Sequence, residues 1–179
     1  MTVPVDPEVF DQIMASLDAP MVVVTATVDD ERAGCLIGFH AQGSIHPRRY
    51  AIWLSKANHT FRVALLGDHL AVHFLTQDDH DLAALFGENS GDDIDKFAQC
   101  EWAPSEEGPP LLLRCPNRLV LRRTGLFDEG GDHLCFVAEP VVATGTGPFT
   151  PLRLSDVGDL EPGHPVDERP SPATTRASD

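Results

Sequence analysis

Short runs of apolar residues, separated by polar, Gly or Pro residues, dominate the pattern along this chain. Six runs have strand length and are rich in β-branched residues: 21–28, 33–41, 50–54, 70–75, 118–127 and 133–143. The acidic, Gly-containing segment 128–132 between the last two runs predicts a hairpin turn. Strands joined mostly by hairpins or short connections predict a mainly β fold, a six-stranded antiparallel barrel. A doubly wound parallel sheet would need a helix after nearly every strand.

Three segments have helical spacing instead. Asp6, Pro7 and Glu8 predict a helix start, because Asp caps free N–H groups, Pro suits the first position and an acidic side chain favours the first turn. Four apolar residues then fall on one face of this helix: Phe10, Ile13, Met14 and Leu17. Two further short helices are predicted over 58–66 and 78–86, each followed by a Gly that ends it.

The composition changes near Gly145, after which Pro residues punctuate a polar, acidic stretch. We therefore expect three parts: an N-terminal helix over 1–19, the barrel domain over 20–147, and a Pro-rich acidic extension over 148–179. The alternation of apolar and polar residues over 152–157 predicts that this segment docks on the domain. The end of the extension has the composition of a disordered tail.

Charge and cysteine usage limit the possible partners. The chain carries 28 Asp and Glu residues against 13 Lys and Arg residues, a formal net charge of −15. The electrostatic field of this negative charge repels nucleic acids and anionic membranes, so neither is expected as a partner. No apolar run approaches the ~20 residues of a membrane span. The four Cys form no C-x-x-C pair and the polar N-terminus does not resemble a secretory leader, so we expect a cytoplasmic protein with free thiols.

The segment from Ser55 to Thr60 lies between a predicted strand and a predicted helix. The N–H groups and positive dipole end of a helix start favour a phosphate, and Ser55, Lys56, Asn58 and Thr60 are the candidate ligands. The alternative is that Asn58 only caps the helix. The chain has neither a Walker A motif nor a G-x-G-x-x-G fingerprint, so a P-loop or Rossmann unit is not expected.

Three histidines are candidates for chemistry. His133 begins the last predicted strand after Gly131 and Asp132. This tripeptide serves either as an ordinary turn or to project His133 into a cleft, where an imidazole can exchange a proton with a redox ring. His69 and His73 would share one face of a strand, but without a third ligand at useful spacing we expect no metal site.

The chain has only two lysines, Lys56 and Lys96, and both flank loops. In so acidic a protein they are candidate anion contacts, although ordinary surface lysines would look the same. Phe97, which follows Lys96, is predicted to be buried.

The order of these motifs resembles the flavin reductase-like, FMN-binding split-barrel family. The resemblance extends over about 20–143 and is carried by 21–25, 34–47 (ending Ser-Ile-His-Pro), 55–60, 70–75, 82–86, 95–97 (Asp-Lys-Phe) and 131–133 (Gly-Asp-His). Their order and spacing are more specific than any single motif. The resemblance implies a six-stranded antiparallel split β-barrel with short peripheral helices. It also implies a homodimer with a flavin in a groove at the subunit interface.

The resemblance also implies roles for particular residues. The flavin phosphate would lie near Ser55, Lys56, Asn58, His59 and Thr60, and His133 would be the catalytic residue beside the flavin or nicotinamide. The isoalloxazine would lie along the second strand, at Leu36, Ile37, Gly38, Phe39, His40, Ala41 and Gln42. Lys96 and Phe97 complete the candidate cofactor-binding set.

The implied activity is hydride transfer from NAD(P)H to FMN or FAD, with a flavin-dependent monooxygenase as a partner. Typical members carry Thr and two Ser in the second strand, where this chain has Leu36 to His40. FMN is the expected cofactor, with FAD, the deazaflavin F420 and haem as alternatives. Two other functions stay open: a flavin- or F420-bound oxidoreductase acting on its own substrate, and a non-catalytic flavin- or haem-binding barrel.

Overall fold

A computed structural model describes residues 4–163 of the chain. The helices lie at Pro7–Ser16 (α1), His59–Leu66 (α2) and His80–Gly87 (α3). The strands lie at Val22–Val28 (β1), Glu31–Ile37 (β2), His40–Ser44 (β3), Arg49–Ser55 (β4), His69–Phe74 (β5), Trp102–Ala103 (β6), Leu111–Leu112 (β7), Arg118–Phe127 (β8) and His133–Thr144 (β9). Short 3₁₀ helices at Gln77–Asp79, Lys96–Gln99 and Leu154–Val157 complete the elements.

Seven strands form one antiparallel sheet in the order β2-β1-β5-β8-β9-β4-β3, and β6 pairs with β7 separately. The predicted fold class, a mainly β antiparallel split barrel with short helices, is confirmed. The strand predicted over 33–41 is divided, which makes seven strands from the predicted six. It ends as β2 at one edge of the sheet, and after Gly38 and Phe39 the chain begins β3 at the opposite edge.

This division explains the curvature of the sheet. The three residue steps from Ile37 to His40 span at most about 11 Å, so the ends of the two edge strands must lie close together. The Trp53 N–H of β4 donates to the Phe39 carbonyl at 2.9 Å, which holds the connection against the far edge. The sheet is therefore curled, and Gly38 and Phe39 lie where its two edges approach.

The core has two parts, on the two faces of β1. Val22, Val24 and Ala26 are fully buried among residues of α2, β4, β5 and β9. Val23 points the other way, into a cluster that includes Phe86 of α3 and Leu152 of the C-terminal segment. Because successive side chains of a strand point to opposite faces, β1 contributes apolar side chains both to the inside of the curled sheet and to the layer outside it.

The C-terminal segment packs on this outer layer. The Met21 N–H donates to the Leu152 carbonyl at 2.8 Å, and the Leu152 N–H donates to the Leu75 carbonyl at 2.9 Å. Leu152 and Val157 are buried. The docking predicted for 152–157 is therefore observed, whereas the disorder predicted for the end of the extension lies outside the described residues.

Helix α1 begins as predicted, with the Asp6 carboxylate accepting from the Glu8 N–H and Pro7 at the first position. No residue of α1 is buried, and its apolar face is exposed. Across the described part of the chain, no helix is long and apolar enough to cross a bilayer.

Candidate functional site

A groove of about 390 Å³ opens where the chain passes from β2 to β3. Seven of the predicted site residues line it: Leu36, Ile37, Gly38, Phe39, Ser55, Asn58 and His133. Cys35, Trp53, Asp132 and Pro162 also line the groove, and its surface is mainly apolar. The groove therefore joins the β2–β3 connection, the end of β4 and the start of β9.

His133 is fixed on two sides. It lies opposite Ser55 in the β4–β9 ladder, and its ring is 5.1 Å from the Phe39 ring, between centroids, at a tilt of 57°. Its Nδ1 is 2.8 Å from Asp132 Oδ1, and this hydrogen bond lowers the pKa of Asp132. An ionised carboxylate only accepts, so Nδ1 carries the proton. Nε2 is then the ring nitrogen through which His133 can exchange a proton with a ligand.

The helix start at Asn58 is largely satisfied within the protein. Asn58 Oδ1 accepts from the Thr60 N–H at 2.9 Å, and Ser55 Oγ accepts from the Ala57 N–H at 3.3 Å. The Lys56 N–H donates to the Asp132 carbonyl at 2.9 Å, and its ammonium lies 2.9 Å from Asp128 Oδ1. An anion at this helix start would compete with Asp128 for Lys56.

Thr60 and His59 are not in the groove. Thr60 is buried, and burial also raises the pKa of the Cys35 thiol. The His59 ring lies 3.0 Å from Asp92 and 3.2 Å from Glu31. His59 thus lines a separate, strongly acidic cavity of about 380 Å³ between the start of β2 and the 91–97 loop.

Lys96 and Phe97 belong to the wall between that cavity and the outer core. The Lys96 ammonium donates to the carbonyls of Gly34 at 2.9 Å and Phe86 at 3.2 Å, and burial lowers its pKa. Phe97 is buried as predicted, with its ring edge-on to Phe86 at 5.7 Å. Neither residue lines the groove.

The rest of the predicted second strand also leaves the groove, because the chain crosses to the far edge at Phe39. The His40 ring nitrogens lie 2.6 Å from the Tyr50 hydroxyl and 2.8 Å from the Pro20 carbonyl. Ala41 and Gln42 are exposed on the edge strand β3. Of the residues 36–42 that were predicted to line the flavin ring, 36–39 line this groove.

His73 is a core residue. It is fully buried, with Nδ1 3.1 Å from the Val23 carbonyl and Nε2 accepting from the Leu112 N–H at 3.1 Å. Burial lowers its pKa to about 4. Among residues 4–163 no group of three or more His, Cys, Asp or Glu side chains is arranged to hold a metal ion.

Comparison with known families decides what kind of domain carries this groove. The family described as a flavin reductase-like domain matches residues 14–152. The chain belongs to the flavin reductase-like family. The predicted resemblance is therefore confirmed.

Two relatives are similar to the chain over about three quarters of its length. The reductase subunit HsaB of a flavin-dependent monooxygenase, from Mycobacterium tuberculosis, is 26% identical over 74% of this chain and 69% of its own length. The FMN reductase (NADH) SmoA of Agrobacterium fabrum is 29% identical over 73% of this chain and 72% of its own.

Solved structures share the flavin reductase-like fold with this chain. The flavin reductase HpaC, solved with NADP⁺, aligns with a TM-score of 0.74 at 19% identity, covering 85% of this chain and 95% of its own. The NADH:FAD oxidoreductase SgcE6 of Streptomyces globisporus, solved with NAD and FAD fragments, gives 0.73 at 23% identity over 87% and 94%.

Sequence reasoning missed four residues of the groove in this flavin reductase-like domain. Trp53 carried a usable signal, since it alternates with the buried Ile52 and Leu54 and shares the face of Ser55. Asp132 was predicted only as a turn residue. Cys35 is adjacent to Leu36 but gave no signal of its own, and Pro162 reaches the groove only through the fold.

Proposed function

We propose that the protein is an NAD(P)H-dependent flavin reductase that binds flavin in the groove between β2, β4 and β9. The observation that carries this proposal is the groove itself, in which Phe39, Trp53 and His133 surround an apolar space in a flavin reductase-like domain. Aromatic and aliphatic walls with a few polar groups at one end suit a planar ring system with a polar tail.

The residues present fit a flavin at both ends. Phe39 and Trp53 offer aromatic surface for a ring, while Ser55, Asn58 and Lys56 lie near one another at the start of α2 and would hold a phosphate. A Cβ at Gly38 would meet Met21 Sδ at 3.3 Å, so the glycine also accommodates the packing of Met21.

When bound, the flavin would supply the hydride acceptor, at N5, for the hydride on nicotinamide C4. The protein's own residues would do the remaining work. Phe39 and Trp53 would orient the ring and exclude water. His133, with its tautomer set by Asp132, would position the nicotinamide or move a proton through Nε2.

We further propose FMN as the flavin and NADH as the donor. FMN has the ring and the single phosphate that the groove and α2 start would contact. NADH is favoured because a net charge of −15 opposes the extra phosphate of NADPH. The relatives HsaB and SmoA, named as a monooxygenase reductase subunit and an NADH-dependent FMN reductase, support the same assignment and a monooxygenase partner.

A homodimer in the cytoplasm completes the proposal. Phe39 is 60% exposed at the rim of the groove, and Ile45 of the neighbouring edge is 80% exposed. A second copy of the chain would cover such surface and close the groove from solvent.

The test uses the full-length protein. Its absorbance spectrum is recorded after purification, and NADH oxidation is then followed with added FMN. We expect flavin binding and faster NADH oxidation. The proposal is wrong if the protein neither binds flavin nor accelerates NADH oxidation. A deazaflavin or Soret band would select F420 or haem instead.

A further inference from the structure

The C-terminal segment reaches the groove. Pro162 lines it together with Leu36 and Asn58. The same three residues also line a neighbouring cleft of about 220 Å³, formed between the C-terminal segment and the end of α3. Pro162 therefore stands at the boundary between the groove and this cleft.

Several contacts fix the path of the segment to this point. The Asp18 carboxylate accepts from the Ser155 N–H at 2.8 Å and from its hydroxyl at 2.9 Å. The Glu161 N–H lies 3.3 Å from Glu88 Oε1, and the Gly163 N–H donates to the Gly87 carbonyl at 3.0 Å. The residues on both sides of Pro162 are thus tied to the C-terminal end of α3.

Gly163 lies too close to the end of α3 to carry a side chain without a shift of the segment. A Cβ at this position would lie 2.4 Å from the Glu88 carbonyl oxygen and 2.7 Å from the Asn89 nitrogen. Both are backbone atoms, which cannot turn aside as a flexible side chain can. Any larger residue at 163 must push the segment away from α3, and Pro162 with it.

We propose that Pro162 is a wall of the flavin groove, and that the close approach of Gly163 to α3 places it there. This inference rests on the proposed flavin function. Proline suits such a wall, because its ring is apolar, its φ is fixed and it has no N–H to leave unpaired against a ligand. The C-terminal segment would thus be part of the binding site, and its position would set how tightly the flavin is held.

Gly163→Ala tests the wall, and Gly158→Ala is the matched control. Gly158 has φ −66°, and its Cβ would meet only the Ser155 carbonyl at 3.8 Å, so the same change is tolerated there. Dissociation constants for riboflavin and FMN are measured by flavin fluorescence. We expect Gly163→Ala to weaken both about tenfold, since the wall would contact the part that they share. Gly158→Ala should leave both unchanged.

Two further variants distinguish a contact between Pro162 and the flavin ring from a contact with the flavin phosphate. Pro162→Ala leaves the contact at Gly163 in place and should weaken both ligands, whereas Lys56→Met should weaken FMN but not riboflavin. Circular dichroism shows whether the wild type, Gly163→Ala and Pro162→Ala are folded. If all three are folded and bind riboflavin with equal affinity, the proposal that Pro162 is a wall of the groove is wrong. A wild type that binds neither ligand overturns the proposed function instead.

Discussion

At the scale of single residues, His133 is held in a defined tautomer and ring position by its neighbours. Asp132 sets its tautomer, and Phe39 packs against its ring. We propose that the ring face and the Nε2 atom make two separable contributions, one to packing in the groove and one to proton transfer.

His133→Phe separates these contributions. We expect FMN affinity to change little, because an aromatic ring still packs on Phe39, while kcat falls about 100-fold with the loss of a group that exchanges protons. Steady-state kinetics and FMN titration of the same preparation provide the two measurements. An unchanged kcat would remove His133 from the chemistry.

His73 gives a pH dependence at the same scale. Its pKa is about 4 in the fold and 6.5 when unfolded, so the unfolded chain binds the proton more readily. Its contribution to stability is present above pH 6.5 and is lost as the pH falls towards 4. We expect the free energy of unfolding to fall by about 2 kcal/mol from this group alone between pH 6.5 and about pH 4.5.

Urea unfolding of the wild type and His73→Gln at both pH values checks this expectation. Gln can keep a donor towards Val23 and an acceptor towards Leu112 without titrating. The difference between the two proteins isolates His73 from the carboxylates, which also titrate in this range. Parallel pH profiles would show that His73 contributes nothing.

At the scale of elements, Lys96 ties β2 to α3. Its ammonium donates to a carbonyl of each element in a buried position, beside the Phe86 ring at 5.6 Å. The strand β2 carries one side of the groove, so this buried cation holds the groove's scaffold without lining the groove.

Lys96→Met should therefore destabilise the fold with little direct effect on bound ligand. Two buried carbonyls would lose a charged donor, and we expect a loss of about 3 kcal/mol in the free energy of unfolding. Lys56→Met, which breaks an ion pair at the surface with Asp128, should lose less than about 1 kcal/mol. Denaturant unfolding compares the two variants, and equal losses would contradict the structural role of Lys96.

At the scale of the whole molecule, the surface of α1 bears on the proposed association of two subunits. Its apolar residues remain exposed: Val9, Phe10, Ile13, Met14 and Leu17. A contiguous exposed apolar face of this kind is typical of an association surface. The proposed homodimer supplies a second copy to cover it.

Ile13→Lys should convert the dimer to a monomer, because it places a charge in the centre of this face. Ala15→Lys adds the same charge about half a turn away and should leave the dimer intact. Light scattering after gel filtration gives both masses. A dimer that persists in Ile13→Lys would show that α1 does not hold the subunits together.

The sequence by itself determined the local elements and the family. Runs rich in β-branched residues predicted the strands of the main sheet, apart from the division of 33–41. The Asp6–Pro7–Glu8 cap predicted α1 and the 128–132 turn predicted the β8–β9 hairpin, because each depends on neighbouring residues. The order of motifs was sufficient to identify the flavin reductase-like family, because that order can be compared without knowing the distances between residues.

Only the tertiary structure decided which of the predicted residues meet. The chain crosses between sheet edges at Gly38 and Phe39, so His40 leaves the groove while Trp53 enters it. Lys96 becomes a buried tie, and Pro162 arrives at the groove from the far end of the chain. These outcomes depend on sheet closure and on contacts between segments that are distant in sequence. The periodicity of residues along a chain predicts neither of them.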